Sequence, residues 1–138
     1  MKTILVLCTG NSTRSQMAHG YLQHFANGRA EVLSAGVETH GLNPKAVQVM
    51  AEDGVDISSH TSNLVDEYAS RKIDYVITVC DNANERCPVW IGRAHRLHQN
   101  FEDPSKVTGD DETVMANYRR VRNQIKQFSQ SFIDQYIR

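Results

Sequence analysis

Cys8 and Arg14 are separated by five small or polar residues, Thr9-Gly10-Asn11-Ser12-Thr13, and are followed by Ser15. A thiol and a guanidinium at this spacing can share one anion. Successive backbone N–H groups in such a loop can turn inward and form an anion-binding concavity. A helix beginning at the end of the loop adds its partial positive charge. Arg14 can fork two donors onto two oxygens of a tetrahedral oxyanion. The same field favours thiolate over thiol and so lowers the pKa of Cys8. Asn11 tolerates the positive φ that an inward-curled loop needs somewhere, and Ser15 can donate a hydrogen bond to the Cys8 thiolate. The expected product is a nucleophilic sulfur under a bound phosphate-like anion. A strand-end cysteine alone is often a small buried hydrophobe. Here the arginine, the loop composition and the flanking elements all point the other way.

That loop needs a strand and a helix to hold it. Ile4-Leu5-Val6-Leu7 reads as a buried strand before it, and Met17, Tyr21, Leu22 and Phe25 recur at helical spacing after it. Asn27-Gly28 stops that helix, and residues 31–35 read as a second strand. Asn43-Pro44 is a helix start, with Asn as N-cap and Pro at the first helical position. Ala46, Val47, Met50 and Ala51 give this helix an apolar face, and Gly54 ends it. Val55 and Ile57 tuck the next turn against the core. Residues 62–69 form a short helix with Leu64, Val65 and Tyr68 as its contacts. Residues 73–80 contain Tyr75-Val76-Ile77-Thr78-Val79, the clearest buried strand. Residues 81–93 are polar and mixed, a loop or a loosely held helix. Residues 94–98 are a weaker strand, and 100–110 a loop. The last segment repeats Val114, Tyr118, Val121, Ile125, Phe128, Phe132 and Tyr136 at three and four, a long amphipathic helix. Strands alternating with helices predict an α/β fold, a parallel sheet with helices on both faces. Ligands of such sheets bind outside the carboxyl ends of the strands. Cys8 ends the first strand and Cys80 the third, so neighbouring strands would bring both sulfurs to one edge.

The chain of 138 residues is expected to form a single domain spanning residues 1–138. With 40% hydrophobic and 22% charged residues it has the composition of an ordinary soluble globular protein. A net charge of −1 gives no support for binding nucleic acid or an anionic membrane. No apolar run approaches the ~20 residues of a membrane span, and the apolar N-terminal run is too short for a signal peptide. A cytoplasmic location is expected. Three cysteines in a reducing compartment point to catalytic, redox or metal chemistry before a disulfide framework.

Cys8-x5-Arg14-Ser15 after an N-terminal strand resembles the active-site loop of the low-molecular-weight protein tyrosine phosphatase fold. The longer string from Cys8 to Ala18, Cys-Thr-Gly-Asn-Ser-Thr-Arg-Ser-Gln-Met-Ala, is similar to the arsenate reductases built on that fold. The resemblance implies a four-stranded parallel sheet of order 2-1-3-4. It implies that Asp103, in the Asp103-Pro104 dipeptide before the last helix, is the general acid, ahead of Glu102, Asp110 and Asp111. Phosphatases of this fold usually place an aromatic just after that dipeptide; Ser105 stands there, which counts against a phosphotyrosine substrate. The stretch from Cys80 to Cys87-Pro88 resembles the redox pair of the thioredoxin-coupled arsenate reductases. The implied relay has Cys8 attack arsenate, Cys80 attack Cys8 with release of arsenite, and Cys87 attack Cys80. Thioredoxin then reduces the Cys80–Cys87 disulfide, each transfer being thiol–disulfide exchange. No bound cofactor is expected, thioredoxin being an external reductant, although glutaredoxin-coupled relatives exist on the same fold. Phosphate and sulfate are expected to compete with arsenate, and the protein to be a monomer. The alternative is a phosphatase that hydrolyses phosphomonoesters through a Cys8 phosphocysteine.

The segment between the paired cysteines carries a geometric requirement. A helix would separate their Cα atoms by ~10 Å, and a disulfide needs them within ~7 Å. The segment must therefore unwind or loop out. Two departures from the family pattern stand out. Thr13 occupies a place where several members carry an additional cysteine. Some members bind potassium beside the loop through acidic side chains at the positions of His19 and Asn63. Neither is acidic here, so no potassium is expected, although Asn11 and Ser34 match other ligands. A zinc site of Cys80, Cys87, His95 and His98 fits no common spacing, and in a strand the two histidines face opposite ways. No metal is expected. His19, His24, His40 and His60 form no cluster in the sequence, and Trp90 reads as packing.

Overall fold

The structure, a computed structural model, describes residues 1–80 and 88–137. Four parallel strands form one sheet: β1 (Lys2–Cys8), β2 (Ala30–Gly36), β3 (Tyr75–Thr78) and β4 (His95–His98). Their order is β2-β1-β3-β4, as the resemblance implied. β1 is central because Ile4, Leu5, Val6 and Leu7 are all 0% exposed; a strand covered on both faces needs a continuous apolar run, not an alternating one. Three α-helices follow the expected boundaries closely: α1 (Arg14–Ala26), α2 (Pro44–Glu52) and α3 (Asp111–Tyr136).

All three α-helices pack on the face carrying Ile4 and Val6, where Met17, Tyr21, Met50, Val121, Ile125 and Ile133 close the larger core. The face carrying Leu5, Leu7 and Val76 packs with Ile73 and Trp90, with a 3-10 helical turn (Val65–Tyr68) at its edge. Helical segments thus lie on both faces, unequally. Trp90 is packing, as expected. Where boundaries or faces moved, the reason is local. Residues 62–69 yield only the turn Val65–Tyr68, and Leu64 stays 40% exposed. On α2 the buried side chains are Ala46, Val49 and Met50; Ala51 is exposed because the helix lies against the core along 46–49–50. Residues 81–87, expected to form a loop or a loose helix, lie outside the described residues.

The sheet's register aligns the site. Cys8 pairs with Gly36 of β2, and Leu7 pairs with Thr78 of β3. Val79 N–H donates to the Leu7 carbonyl at 3.0 Å. Cys8 and Cys80 therefore leave adjacent strands at the same, carboxyl edge of the sheet.

Candidate active site

Residues 9–13 curl between β1 and α1, and their carbonyls are turned outward by specific donors. Thr9 O accepts from Glu38 N at 3.0 Å, Gly10 O from His40 N at 3.0 Å, and Ser12 O from Asn43 N at 3.2 Å. Asn11 O accepts from Gln16 Nε2 at 3.1 Å. In a trans peptide the N–H points opposite to the carbonyl of the preceding residue. Outward carbonyls at 9, 10, 11 and 12 therefore aim the N–H groups of residues 10 to 13 into the loop. Asn11 makes the curl possible at φ 47°, the left-handed conformation its short side chain tolerates. Cys8 is 3% exposed and lies at the floor of a cavity of about 400 Å³, whose walls include Thr9, Ser12, Arg14, His40 and Asp103.

Arg14 is the first residue of α1 and is 4% exposed. Its Nη1 donates to the Phe101 carbonyl at 3.2 Å, and its Nη2 lies 3.6 Å from Asp103 Oδ2. The distance is too long for a hydrogen bond, so the carboxylate faces the guanidinium across the cavity. The other oxygen of Asp103 is fixed: Oδ1 accepts from Ser105 N at 3.0 Å and from Ser105 Oγ at 2.6 Å. Ser105, the residue where phosphatases of this fold usually place an aromatic, thus locks the acid's rotamer. Two of the three competing acids are committed elsewhere. Glu102 pairs with Arg120 at 2.6 Å, and Asp110 caps α3 by accepting from Thr113 N at 2.8 Å.

Two further side chains hold the loop from the α2–α3 side. Asn43 caps α2 through Lys45 N at 2.9 Å. Its Nδ2 donates to Thr13 Oγ1 at 2.9 Å and to the Tyr118 hydroxyl at 3.0 Å. Burial, with the Asp103 charge nearby, pushes the Tyr118 hydroxyl up from its ordinary value, so it stays a neutral phenol. Both were expected as plain structural residues, Asn43 as a cap and Tyr118 as a core contact. Neither reading reveals that the same atoms reach the loop.

Behind the loop lies a polar network. Asn11 Nδ2 donates to Ser15 Oγ at 2.9 Å, leaving the Ser15 hydroxyl proton for another acceptor. Asn11 Oδ1 accepts from Asn63 N at 2.8 Å. Gln16 Nε2 donates also to the Thr61 carbonyl at 2.9 Å, and Gln16 Oε1 lies 3.0 Å from His60 Nδ1. His60 stacks on His19, with centroids 4.2 Å apart, and His19 Nδ1 is 2.8 Å from Ser34 Oγ. Of the four histidines expected to form no cluster, His19 and His60 are brought together as a pair, while His24 and His40 stay exposed. The β2-to-turn connection, with its bridge between Gly36 and Leu64, folds residue 60 onto residue 19. Burial and the neighbouring ring push His19 down to about 3, and burial lowers His60 too. At the two positions where some relatives carry acidic side chains beside a potassium ion stand His19 and Asn63, neither of them acidic. Asn11 Oδ1 and Ser34 Oγ already take part in hydrogen bonds with Asn63 N and the His19 ring.

The structure brings together Cys8, Thr9, Gly10, Asn11, Ser12, Thr13, Arg14, Ser15 and Asp103. Cys80 is 0% exposed at the same sheet edge; Cys87 lies outside the described residues. His95 and His98 do face opposite ways: His95 packs on the Tyr136 ring and His98 bonds Thr78. No helix among the described residues is long and apolar enough to cross a membrane.

Residues 3–137 match the family model described as low molecular weight phosphotyrosine protein phosphatase. An arsenate reductase of Halalkalibacterium halodurans is 44% identical over 96% of each chain. That of Bacillus subtilis is 42% identical over 94% of this chain and 96% of its own. Among solved structures, an arsenate reductase in the phosphate-binding state superposes with a TM-score of 0.81 at 31% identity, over 100% of both chains. One in the oxidized state gives 0.82 at 30% identity, over 98% of both. The Cys8–Arg14 loop, the order of the sheet and these likenesses agree: the chain belongs to the low-molecular-weight phosphotyrosine protein phosphatase family, among its arsenate reductases.

Proposed function

We propose that this protein reduces arsenate to arsenite through a relay of three cysteines that thioredoxin resets. The observation that carries the reading is the placement of Cys8 and Cys80 at one sheet edge, with Cys8 beneath Arg14 and the inward N–H groups. A phosphatase needs only the first of these sulfurs. Reduction needs two electrons, and sulfur is the source within the chain.

In the proposed sequence the Cys8 thiolate, favoured by the loop and the start of α1, attacks arsenic(V). Asp103, in its protonated form, gives a proton to the departing oxygen, which leaves as water. The product is a covalent sulfur–arsenic adduct held by Arg14 and the N–H groups of residues 10–13. Cys80 as thiolate attacks the Cys8 sulfur. A Cys8–Cys80 disulfide forms, the sulfur–arsenic bond breaks, and its electron pair stays on arsenic, giving arsenite. Cys87 then attacks Cys80 and releases Cys8 as thiolate. Thioredoxin's dithiol takes up the Cys80–Cys87 disulfide by the same exchange. A cytoplasmic setting supplies that reductant.

Single turnover tests the first step. Wild-type protein reduced beforehand should release about one arsenite per chain without thioredoxin, and Cys8→Ser none, while Cys8→Ser remains folded. Inorganic phosphate should slow the wild-type reaction competitively. Hydrolysis of p-nitrophenyl phosphate at enzymatic rates, with no arsenite from arsenate, would replace this reading by the phosphatase one.

A further inference from the structure

We propose that the stacked His19–His60 pair positions the oxyanion loop from behind, acting through Gln16 on the carbonyl of Asn11. The inference rests on reading residues 8–15 as an oxyanion loop, and not on which oxyanion reacts there.

The hydrogen bonds assign the direction of the linkage. Gln16 Nε2 faces two carbonyls, Asn11 O at 3.1 Å and Thr61 O at 2.9 Å. Carbonyls only accept, so the nitrogen of this amide is placed and its oxygen must face His60. His60 Nδ1, 3.0 Å from that oxygen, therefore carries the proton and donates. The chain of donors runs from His60 through Gln16 to the Asn11 carbonyl. That carbonyl belongs to the residue with φ 47°, where the loop reverses. Keeping it outward keeps the next N–H, that of Ser12, aimed into the cavity.

His60 is itself held from behind. Its ring lies on His19 at 4.2 Å between centroids and 28° between planes. His19 is tied to β2 through Ser34 Oγ at 2.8 Å. The turn of the loop is thus anchored to the sheet through Ser34, His19, His60 and Gln16 in sequence. Burial keeps both rings uncharged near neutrality, which lets them stack without repulsion. With neutral imidazoles and no carboxylate in this network, the loop's turn is held without a cation to balance charge. His19, His60, Gln16 and Ser34 need not touch the anion; they act through the loop.

Inorganic phosphate is the probe. Its affinity is measured by calorimetry for wild type, His60→Ala and His60→Asn, in KCl and in NaCl at equal ionic strength. Wild type is expected to bind equally in both salts. His60→Ala should bind about tenfold more weakly, the effect of one lost hydrogen bond to a buried acceptor. His60→Asn, whose amide N–H can reach Gln16, should regain most of that loss; it also serves if His60→Ala does not fold. Wild-type affinity in both variants, no recovery in His60→Asn, or a potassium requirement in wild type would overturn the inference. Absence of phosphate binding by wild type would instead overturn the oxyanion-loop reading on which it rests.

Discussion

Gly36→Ala tests whether the backbone around the loop is as closely built as the distances imply. Gly36 ends β2 opposite Cys8. A Cβ there would lie 2.5 Å from Thr9 O, 2.8 Å from Glu38 O and 2.9 Å from Cys8 O. All three are backbone atoms, so no side-chain rotation relieves them. Restoring a C···O separation of ~3.3 Å requires the nearest strands to part by about 0.8 Å. They are joined there by the Glu38 N to Thr9 O bond of 3.0 Å. Overpacking of this kind typically costs ~1–3 kcal/mol, and contact with three backbone atoms places it near the upper end. The displaced carbonyls include those of Cys8 and Thr9, so the damage reaches Cys8, the proposed nucleophile, where a shift near 1 Å can cost ~10²-fold in rate. Urea unfolding and phosphate calorimetry on the same variant read both effects. Gly10→Ala is the contrast. The three atoms nearest its Cβ would all belong to the His40 ring, whose side chain is 53% exposed and can swing away; the stability cost should stay under ~1 kcal/mol. Gly36→Ala with unaltered stability and phosphate affinity would refute the close-packed account of this edge.

Two further outcomes follow from the site. Asp103→Asn should lower arsenate turnover by ~10²-fold or more, the range of general acid catalysis, while phosphate affinity stays within about twofold; unchanged turnover would remove Asp103 from the role. Stability should fall in mild acid because of His19. Its folded value of about 3 is below its ordinary 6.5, so between those pH values the unfolded chain binds the extra proton and is favoured. The loss is absent above pH 6.5 and reaches roughly 2 kcal/mol by pH 5. Urea midpoints from pH 7.5 to 5 should fall more steeply for wild type than for His19→Gln; parallel slopes would contradict the assignment.

The oxyanion loop and most of the sheet were legible because their signals are local. Ile4 to Leu7 is a run that only a doubly covered strand explains, Asn11 announces a left-handed turn, and Asn43-Pro44 marks a helix start. The supporting network was not legible. His60 stands far from His19 in the chain, and only the packing of the turn after α2 against α1 brings the rings together. Gln16 reads as one more helical residue until the carbonyls of Asn11 and Thr61 are seen to share its amide. Tyr118 was found as a core contact from the periodicity of α3, but periodicity carries no information on where the hydroxyl ends. Asp103 came from resemblance, and its hold by Ser105 came from the structure.

In the proposed relay two electrons reach arsenic only when Cys80 attacks the Cys8 sulfur and the sulfur–arsenic bond breaks. Arsenate-dependent oxidation of NADPH, with thioredoxin and thioredoxin reductase present, measures that flow directly in wild type and in Cys80→Ser. Wild type is predicted to sustain many turnovers and Cys80→Ser none, its reaction stopping before the Cys8–Cys80 bond. Sustained thioredoxin-driven turnover by Cys80→Ser would contradict the relay and with it the assignment of the sulfur at the end of β3.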